Sequence, residues 1–430
     1  MHKTYELNKY IHAIDNEESV ILYNSINGGI IEFDKNLYNR NYHEIEVNLV
    51  SDYEYLNSNK FLKNIETSDY VNDRIKFGYT SDMRTLNLII ELNRTCNLNC
   101  SYCYQRGTYH SNEISESTIN SIFKYIEDVV YKGKKSKIRI NFIGGEPFLS
   151  YDKLVYIHKY VYNLSEKNNL DCDFIINTNG TLLEKEKVKD FKKTSFAITL
   201  SLEDDHNRNR PSNKFNSYKS VINGIKSSTK YLNENENELT IRYNTNEDNI
   251  LEFESFLNML DKEGIKPVEI TPMYTDEYEN TDFKNKLSKI EFLKWNSSTA
   301  IDLMIKHGYN IYYSPKYDFS PCKAYFNDNF KFFVDGSVGI CDASDQVEGL
   351  PNINNICSAS ELNEYYKELK SWNPLDDTMC SNCGELAMCG GKYFCRKDCD
   401  YKNRFILDIF IKTYLRHLKF GNRNKFPNIQ

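Results

Sequence analysis

The stretch LNLIIELNRTCNLNCSYCY (residues 86–104) decides the predicted fold. Its first seven residues are an apolar run typical of a buried strand, and a cysteine trio follows directly on the next loop. Cys96, Cys100 and Cys103 have the spacing C-x₃-C-x₂-C. Three such thiolates can bind one face of an iron–sulfur cube and leave one iron open to a small chelating molecule. A zinc knuckle is the alternative, but a closed zinc site needs a fourth ligand, and His110 is poorly placed for that role.

Outward from this loop, strand and helix patterns alternate over residues 86 to about 275. The predicted strands are 86–92, 138–143, 173–177, 196–202, 239–244 and 267–271. Helical patterns between and after them cover 119–130, 151–165, 183–193, 217–231 and 249–263. Strands that are each followed by a helix imply a parallel sheet, so we expect an α/β fold with a partial (β/α)6 TIM barrel.

Composition excludes several classes of protein. The chain has 430 residues, and 54 Lys and Arg against 61 Asp and Glu give a net charge of −7, which disfavours a strongly basic nucleic-acid surface. No segment reaches about 18 consecutive apolar residues, so no membrane span is expected. The first residues contain no apolar signal segment, so a reducing cytoplasmic location is expected. There, 12 cysteines indicate metal or redox ligands more readily than a disulfide framework.

Residues 1–85 precede the cysteine trio and are predicted to form a small α+β N-terminal module. ESVILYNSINGGIIEFD (18–34) contains two apolar strands joined at Asn27-Gly28-Gly29, a strong hairpin signal. SDYEYLNSNKFLKNI (51–65) has apolar residues at helical spacing and predicts one helix there. Those residues are Tyr55, Phe61, Leu62 and Ile65.

Gly144-Gly145-Glu146-Pro147 follows the second predicted strand. Glycines let a backbone approach a ligand closely, and a carboxylate can hold an α-ammonium group. The same four residues elsewhere would be an ordinary turn. At the carboxyl end of a strand beside the cysteine loop, they indicate a ligand site.

Together the cysteine trio, with Tyr102 before its last member, and the GGEP turn resemble the radical S-adenosylmethionine (radical SAM) superfamily. The resemblance implies that Cys96, Cys100 and Cys103 hold a [4Fe–4S] cluster. It also implies that the element Gly144, Gly145, Glu146 and Pro147 holds the amino group of S-adenosylmethionine (SAM), and that Tyr102 is a further cofactor-binding residue.

Weaker matches to the same superfamily lie at later strand ends. The resemblance assigns cofactor contacts to Asn179 in NTNG (177–180), to Ser201 and Glu203 for the ribose, and to Arg242 for the carboxylate. SLEDDHNRNRP (201–211) resembles an S-[IL]-[DE]-G-…-H-…-R stretch, although Asp204 replaces the usual Gly. Strand-end caps and surface ion pairs are the alternatives for each residue, and a structural or solvated role is the alternative for the histidine of this stretch.

A second group of cysteines lies between residues 322 and 399. Their x₂ and x₃ spacings suit cluster or zinc ligation rather than a packed core. The group resembles the SPASM extension of radical SAM proteins, whose cysteines ligate auxiliary [4Fe–4S] clusters, and the CGG at 389–391 fits it. The usual x₃ after the third cysteine is x₅ here, which leaves the last two ligands open.

By position in that pattern, one auxiliary cluster takes Cys380, Cys383, Cys389 and Cys399. The other takes Cys322, Cys341 and Cys395, with its fourth site open to a substrate thiolate or filled by Cys357. A zinc site within 380–399 is the alternative. Cys172 is expected to be a small buried side chain without a ligand role, and the same is expected of Cys357 unless it fills that fourth site.

FFVDGSVG (332–339) predicts a hairpin that presents Cys341. The next residue, Asp342, stands where sulfatase-maturing relatives place a catalytic acid that faces the substrate. Solvation at the hairpin exit is its alternative role.

The predicted domains are therefore 1–85, a leader-peptide-recognition-like module; 86–310, the radical SAM barrel; 311–400, the SPASM domain; and 401–430, an amphipathic helix and tail packed on the body. The resemblance implies a 5′-deoxyadenosyl radical that abstracts hydrogen from a ribosomally made precursor peptide, forming a cysteine thioether or related crosslink. A flavodoxin or ferredoxin would donate electrons. A sulfatase-maturating enzyme is the first alternative, and a non-SAM iron–sulfur or zinc scaffold is the second.

Overall fold

The computed structural model describes residues 3–81, 84–105, 112–133, 135–232, 234–275, 283–312, 323–341, 349–356, 358–389 and 402–426. The chain divides into two compact units. The first consists of Met1–Asp82, Ile311–Phe326 and Glu368–Gln430, and the second of Met83–Asn310 and Asn327–Lys367. Segments from both ends of the chain therefore belong to one unit.

The first unit begins with two small antiparallel sheets. Its first elements are β1 (Lys3–Glu6), β2 (Ile11–Asn16), β3 (Ser19–Asn24), β4 (Ile30–Asp34), β5 (Tyr38–Asn39), β6 (Glu44–Val47), α1 (Val50–Ser58) and α2 (Ile65–Ser81). The strand orders are β1-β6-β5 and β2-β3-β4. The predicted hairpin is confirmed, because β3 pairs with β4 from Ser19 to Tyr23 and Gly28 in the turn has φ of +76°.

The single helix predicted over 51–65 is wrong. α1 ends at Ser58, and Lys60 adopts a left-handed φ of +62°, which stops the helix. Phe61 and Leu62 are buried, but they lie in the extended segment between α1 and α2. Their burial produced the apolar spacing without a continuous helix.

The second unit is built on a parallel sheet. Its strands are β7 (Thr85–Glu91), β8 (Lys137–Ile143), β9 (Asp171–Thr178), β10 (Thr194–Thr199), β11 (Glu238–Thr245) and β12 (Glu269–Tyr274). They pair in parallel in the order β12-β11-β10-β9-β8-β7. All six predicted strands are thus confirmed, and so is the α/β class with a partial barrel.

Helices cover the apolar face of this sheet. They are α3 (Glu116–Tyr131), α4 (Tyr151–Lys167), α5 (Lys185–Val188), α6 (Glu203–Asn209), α7 (Ser217–Leu232), α8 (Phe253–Glu263), α9 (Lys289–Asn296) and α10 (Thr299–Lys306). The predicted apolar face of α3 is buried. The helix predicted at 183–193 is only the single turn α5, and α6 begins two residues after Ser201, where no helix was expected.

The predicted hairpin near residue 335 is confirmed and extends the barrel sheet. β13 (Phe330–Phe332) pairs antiparallel with β14 (Val338–Gly339), and β13 also pairs in parallel with β7. Such a short strand joins the sheet because β7 offers it a free edge opposite β8.

The remaining helices are α11 (Ala359–Tyr365), α12 (Lys367–Lys370), α13 (Thr378–Ser381), α14 (Leu386–Cys389) and α15 (Lys402–Lys419). As predicted, α15 is a packed helix: Leu407, Phe410, Ile411 and Tyr414 are buried. Among the described helices, none has the length and apolar character needed to cross a lipid bilayer.

Candidate active site

The cysteine loop (residues 94–105) follows β7, and the turn after β8 packs against it. Gly145 N donates to Asn93 O at 3.0 Å, and Glu146 N donates to Thr95 O at 2.8 Å. A Cβ added to Gly145 would lie 2.3 Å from Thr95 O, and one added to Gly144 would lie 2.9 Å from Asn93 O. The two glycines are therefore required by the close approach of the two backbones.

The loop after β9 holds the first cysteine. Asn97 Nδ2 donates to Thr181 Oγ1 at 2.8 Å, and Asn179 Nδ2 donates to Asn97 Oδ1 at 2.8 Å. The Asn179 amide also lies 3.7 Å from the Sγ atom of Cys96. Asn179, predicted as a cofactor residue, thus contacts a cysteine of the trio directly.

The last residue of α6 and the segment after it hold the middle of the cysteine loop. Asn99 N donates to Pro211 O at 2.9 Å, and Ser101 N donates to Asn209 O at 2.9 Å. Ser101 Oγ donates to Asn209 Oδ1 at 3.1 Å. The connections that leave β8, β9 and β10 therefore converge on the loop that leaves β7, at the carboxyl ends of the strands, where barrel enzymes build their active sites.

Glu146 joins two of these connections. Its buried carboxylate accepts hydrogen bonds from Phe148 N at 2.9 Å, Thr178 Oγ1 at 2.7 Å and Asn179 N at 2.7 Å. Burial raises the pKa of this carboxyl, although the hydrogen bonds oppose the rise. Pro147 is buried and begins the short 3₁₀ turn that Glu146 caps.

The thiols of the trio are electrostatically coupled. Burial, together with the charges of Cys100 and Cys103, raises the pKa of Cys96 to about 12. Burial also raises the pKa of Cys100, against the lowering effect of Arg210. Free thiolates at Cys96 and Cys100 are therefore disfavoured unless a metal compensates for the lost hydration.

The donor set of the cysteine loop fits an iron–sulfur cube. In the part of the chain that the structure describes, no three His, Cys, Asp or Glu side chains converge as ligands of one metal ion would. The thiolates of a cube bind separate irons, so they need not converge. One buried and two half-buried thiols on one loop, with glycine backbone pressed against that loop, fit a cluster with an open iron beside a ligand pocket.

Arg210 is a site residue that the sequence prediction missed. It is buried, and its guanidinium hydrogen-bonds with the Cys100 thiol and with Thr199 O. The guanidinium carbon lies 6.0 Å from the centre of the Tyr102 ring. Its buried Nε has no hydrogen-bond partner among the described residues. The Arg that ends SLEDDHNRNR was the available signal.

His206 lies near the same cation. Its buried ring nitrogens have no hydrogen-bond partner among the described atoms. Burial lowers the pKa of His206 well below its ordinary value, and the Arg210 charge adds to this effect. The ring is therefore neutral and packs edge-on against Tyr218, with 6.0 Å between the ring centres.

The other predicted SAM contacts lie at or beside the end of β10. Ser201 is buried directly before α6, and Glu203 begins α6 and accepts from Asn216 Nδ2 at 3.2 Å. Arg242 lies in β11 in register with Thr199. Burial lowers the pKa of Arg242, and the charge of Glu269 opposes this.

The structure describes part of the second cysteine group. Cys341 follows β14, Cys380 lies in α13, Cys383 lies between the two helices, and Cys389 ends α14; all four are half-buried. Five residues predicted or considered for this region lie outside the described residues. They are Cys322, Asp342, Cys357, Cys395 and Cys399.

Within the first unit, the segment before β2 packs against this cysteine segment. A Cβ added to Gly384 would lie 2.5 Å from Lys9 O, and Lys9 Nζ donates to Ser381 O. The Tyr10 ring belongs to an apolar cluster with the cysteine segment. Its other members are Ile26, Val71, Leu386 and Ala387, with Cys380 and Cys383 at its border.

Comparisons with known proteins show what this chain is similar to. Residues 90–257 match the Radical SAM superfamily. The "radical SAM cyclopropyl synthase TigE" of Paramaledivibacter caminithermalis is 24% identical over 90% of this chain and 88% of its own length. A cysteine-type anaerobic sulfatase-maturating enzyme of Clostridium novyi is 25% identical over 35% of this chain and 42% of its own length.

Solved structures share the fold. "Native anSMEcpe with bound AdoMet and Cp18Cys peptide" superposes with a TM-score of 0.57 and 17% identity, over 79% of this chain and 99% of that one. Streptococcus suis SuiB bound to precursor peptide SuiA superposes with a TM-score of 0.53 and 15% identity, over 92% and 97%. The cofactors of the superfamily are a [4Fe–4S] cluster and SAM. Residues 90–257 therefore form a radical SAM domain, and the chain is an enzyme similar in sequence to a radical SAM enzyme over most of its length.

Proposed function

We propose that this enzyme modifies a ribosomally made precursor peptide, and that Cys96, Cys100 and Cys103 hold its SAM-binding cluster. The observation that carries the proposal is the backbone contact between Gly145 and Thr95, which joins the GGEP turn to the cysteine loop. When bound, the cluster and SAM supply a 5′-deoxyadenosyl radical that removes hydrogen from an unactivated carbon.

In this proposal, Glu146 and the glycine pair bind the SAM amino group. A carboxylate offers about four lone-pair sites, and protein donors occupy three of them in Glu146. One site remains for the α-ammonium group. Ser201 and Glu203 are assigned to the ribose and Arg242 to the carboxylate, as the sequence predicts.

Two further side chains balance the charge of the cysteine loop. Arg210 places a buried positive charge beside Cys100, and the Asn179 amide faces Cys96 Sγ. Charge and hydrogen bonds at the sulfur ligands set the reduction potential of iron–sulfur clusters. We assign both residues to stabilising the reduced state of the cluster.

We propose auxiliary clusters for the second cysteine group, with the ligands predicted from the sequence. One hydrogen atom leaves the substrate with the 5′-deoxyadenosyl radical. Formation of the new bond then leaves one proton and one electron to be removed, and an auxiliary cluster held by this cysteine group would supply the acceptor for the electron. Asp342 is a candidate acceptor for that proton. A flavodoxin or ferredoxin would supply the electrons for SAM cleavage in a reducing cytoplasm.

A peptide substrate is supported by the match to TigE along nearly the whole chain and by the peptide complexes among the solved structures. The N-terminal module offers a route for leader recognition. β4 lies at the edge of its sheet, and within the described strands it pairs only with β3. Its main-chain groups could receive a leader segment as an added strand.

The thioether predicted from the sequence is one candidate product. The cyclopropyl synthase relative favours a second, in which two carbons of one alkyl side chain close a ring. Both products have lost two hydrogens, so mass alone does not separate them. The formylglycine of sulfatase maturation is the remaining alternative, and the radical SAM match sets the non-SAM scaffold aside.

The test begins with anaerobic reconstitution of the full chain with iron, sulfide, SAM and dithionite. We expect 5′-deoxyadenosine from the wild type and from Cys172→Ala, but none from Cys96→Ala. Cys172 is a matched control because it is buried in β9, away from the proposed ligands. Absence of 5′-deoxyadenosine from a fully iron-loaded wild type would contradict the proposal.

Co-expression with a short reading frame beside the gene then identifies the product. We expect a peptide lighter by two hydrogens. Thiol alkylation separates the candidates, because a thioether consumes a cysteine thiol while ring closure at carbon leaves every thiol reactive. An aldehyde at a cysteine position of a sulfatase-derived peptide would support sulfatase maturation.

A further inference from the structure

Glu91, the last residue of β7, is a buried carboxylate that the assignments above do not use. It lies on the same face of the strand as Asn87 and Ile89, and only 1% of its surface is exposed. Burying a carboxylate is costly unless its oxygens receive hydrogen bonds or opposite charge. The groups that meet those oxygens therefore indicate what the residue does.

Two of its partners come from opposite ends of the cysteine loop. Arg94 Nε donates to Glu91 Oε2 at 3.2 Å, and Gln105 Nε2 donates to Oε1 at 3.1 Å. Arg94 precedes Cys96 by two residues, and Gln105 follows Cys103 by two. One carboxylate therefore closes the base of the loop that carries the trio.

The third partner comes from the hairpin that leads to Cys341. Val334 N donates to Glu91 Oε2 at 3.1 Å. The parallel pairing of β13 with β7 ends at Phe332 opposite Ile90. The Glu91 side chain thus accepts a hydrogen bond from the hairpin backbone just after the last residue pair of β7 and β13, where the hairpin turns away from β7.

The arginine strengthens this connection. Its guanidinium carbon lies 5.9 Å from the centre of the Phe333 ring, within range of a cation–π contact. Arg94 therefore touches both the carboxylate and the hairpin. The Glu91–Arg94 ion pair thus contacts both the cysteine loop and the hairpin.

We propose that Glu91 is a positioning residue that fixes the cysteine loop relative to the hairpin that carries Cys341. The consequence for catalysis rests on the proposed function, in which Cys341 ligates an auxiliary cluster. A constant spacing would let that cluster accept the substrate's electron before the radical is lost to side reactions. With Glu91 disabled, SAM cleavage continues, but fewer cleavages end in product.

The test uses Glu91→Gln in the full chain, with Glu113→Gln as a matched control. Glutamine has the same size, but it lacks the charge and cannot accept from all three donors. Glu113 is a partly exposed carboxylate that pairs with Lys153 at 2.7 Å in the same unit. We first measure amide hydrogen exchange over residues 330–341 in the protein as purified.

We expect exchange in the hairpin to rise about tenfold in Glu91→Gln, a loss of about 1.4 kcal/mol of local stability, and to stay at the wild-type rate in Glu113→Gln. In the reconstituted enzyme, SAM cleavage without substrate should stay within about twofold, while product per 5′-deoxyadenosine falls about tenfold. General destabilisation would lower both quantities together. Hairpin exchange equal to wild type would overturn the proposal.

The outcomes separate this inference from the proposed function. Faster hairpin exchange with an unchanged product ratio would support the connection through Glu91 and contradict the role of Cys341. If Glu91→Gln does not fold, Gln105→Met removes only the partner on the far side of the loop. A smaller rise in hairpin exchange in Gln105→Met would then support the proposal. Hairpin exchange at the wild-type rate in Gln105→Met would overturn it.

Discussion

The two cysteine regions are each held by a glycine pressed against a backbone carbonyl, but the carbonyls differ in origin. Gly145 meets Thr95 O of the cysteine loop itself, and Gly384 meets Lys9 O of the N-terminal module. The first contact fixes the ligand loop to the barrel strands. The second fixes the ligand segment to the N-terminal module that is proposed to recognise the leader.

The surroundings of the two cysteine regions also differ, because the first region is polar and the second is apolar. The cysteine loop lies among buried polar groups from three strand exits, with a buried cation beside Cys100. Cys380, Cys383 and Cys389 lie in or between one-turn helices against a small apolar cluster. We infer that the barrel prepares the first site before metal binds, whereas the second depends on the N-terminal module.

Gly145→Ala should have the largest effect. The added Cβ would lie 2.3 Å from Thr95 O, so the loop or the turn must move. A displacement of about 1 Å at a reacting centre can cost about 100-fold in rate, and we expect at least that loss in 5′-deoxyadenosine formation. Liquid chromatography of the quenched reaction measures it.

Gly308→Ala is the control for that substitution. A Cβ there meets no atom within 4 Å, although its φ of +87° makes alanine strained. We expect a stability cost of about 1 kcal/mol and unchanged SAM cleavage. A Gly145→Ala enzyme as active as this control would show that the close contact is not needed.

Arg210→Met should have the next largest effect. Removing a cation that touches a cluster ligand should make the cluster harder to reduce and lower SAM cleavage about 10- to 100-fold. Arg208→Met is the control, because Arg208 is exposed and pairs with Asp248 at 3.1 Å on the surface. The midpoint potential of the SAM cluster, followed by EPR, distinguishes this effect from simple loss of iron. An unchanged potential would contradict the assigned role.

Gly384→Ala tests the second region with the same substitution. Its Cβ would lie 2.5 Å from Lys9 O, so we expect the N-terminal segment to move away from the cysteine segment. Overpacking of this kind costs about 1–3 kcal/mol, while SAM cleavage should stay within about twofold. Iron content and precursor-peptide affinity should both fall. Equal losses of SAM cleavage in Gly384→Ala and Gly145→Ala would remove the distinction between the regions.

The strand pattern, the cysteine spacing and the GGEP turn were predictable because each is local. A seven-residue apolar strand followed by three cysteines carries its own signal, and the structure contains all six predicted barrel strands. The apolar face of α3 was predictable for the same reason.

Long-range partners were not predictable in this way. β13 has three residues and joins the sheet at β7, more than 230 positions earlier in the chain. Glu91 and Arg210 gain their roles from partners that only the fold brings near. The wrong helix over 51–65 has a related cause, since Phe61 and Leu62 are buried by tertiary packing at positions that imitate helical spacing.

The smallest expected effect concerns pH and the first region. Burial lowers the pKa of His206 well below its ordinary value of 6.5. As the pH falls through about 6.5, the histidine binds a proton in the unfolded chain but not in the folded chain. Its contribution to the free energy of unfolding is therefore fully present above that pH and is lost as the pH drops below it. His158, whose pKa burial lowers to about 4, acts in the same direction.

The difference between wild type and His206→Gln isolates the effect of His206, because both proteins keep His158. We expect the wild type to lose about 1 kcal/mol more than His206→Gln between about pH 6.5 and 5.5, measured by urea unfolding. Parallel pH curves for the two proteins would mean that the ring beside Arg210 accepts a proton without cost, and that the first region is less rigidly prepared than its contacts indicate.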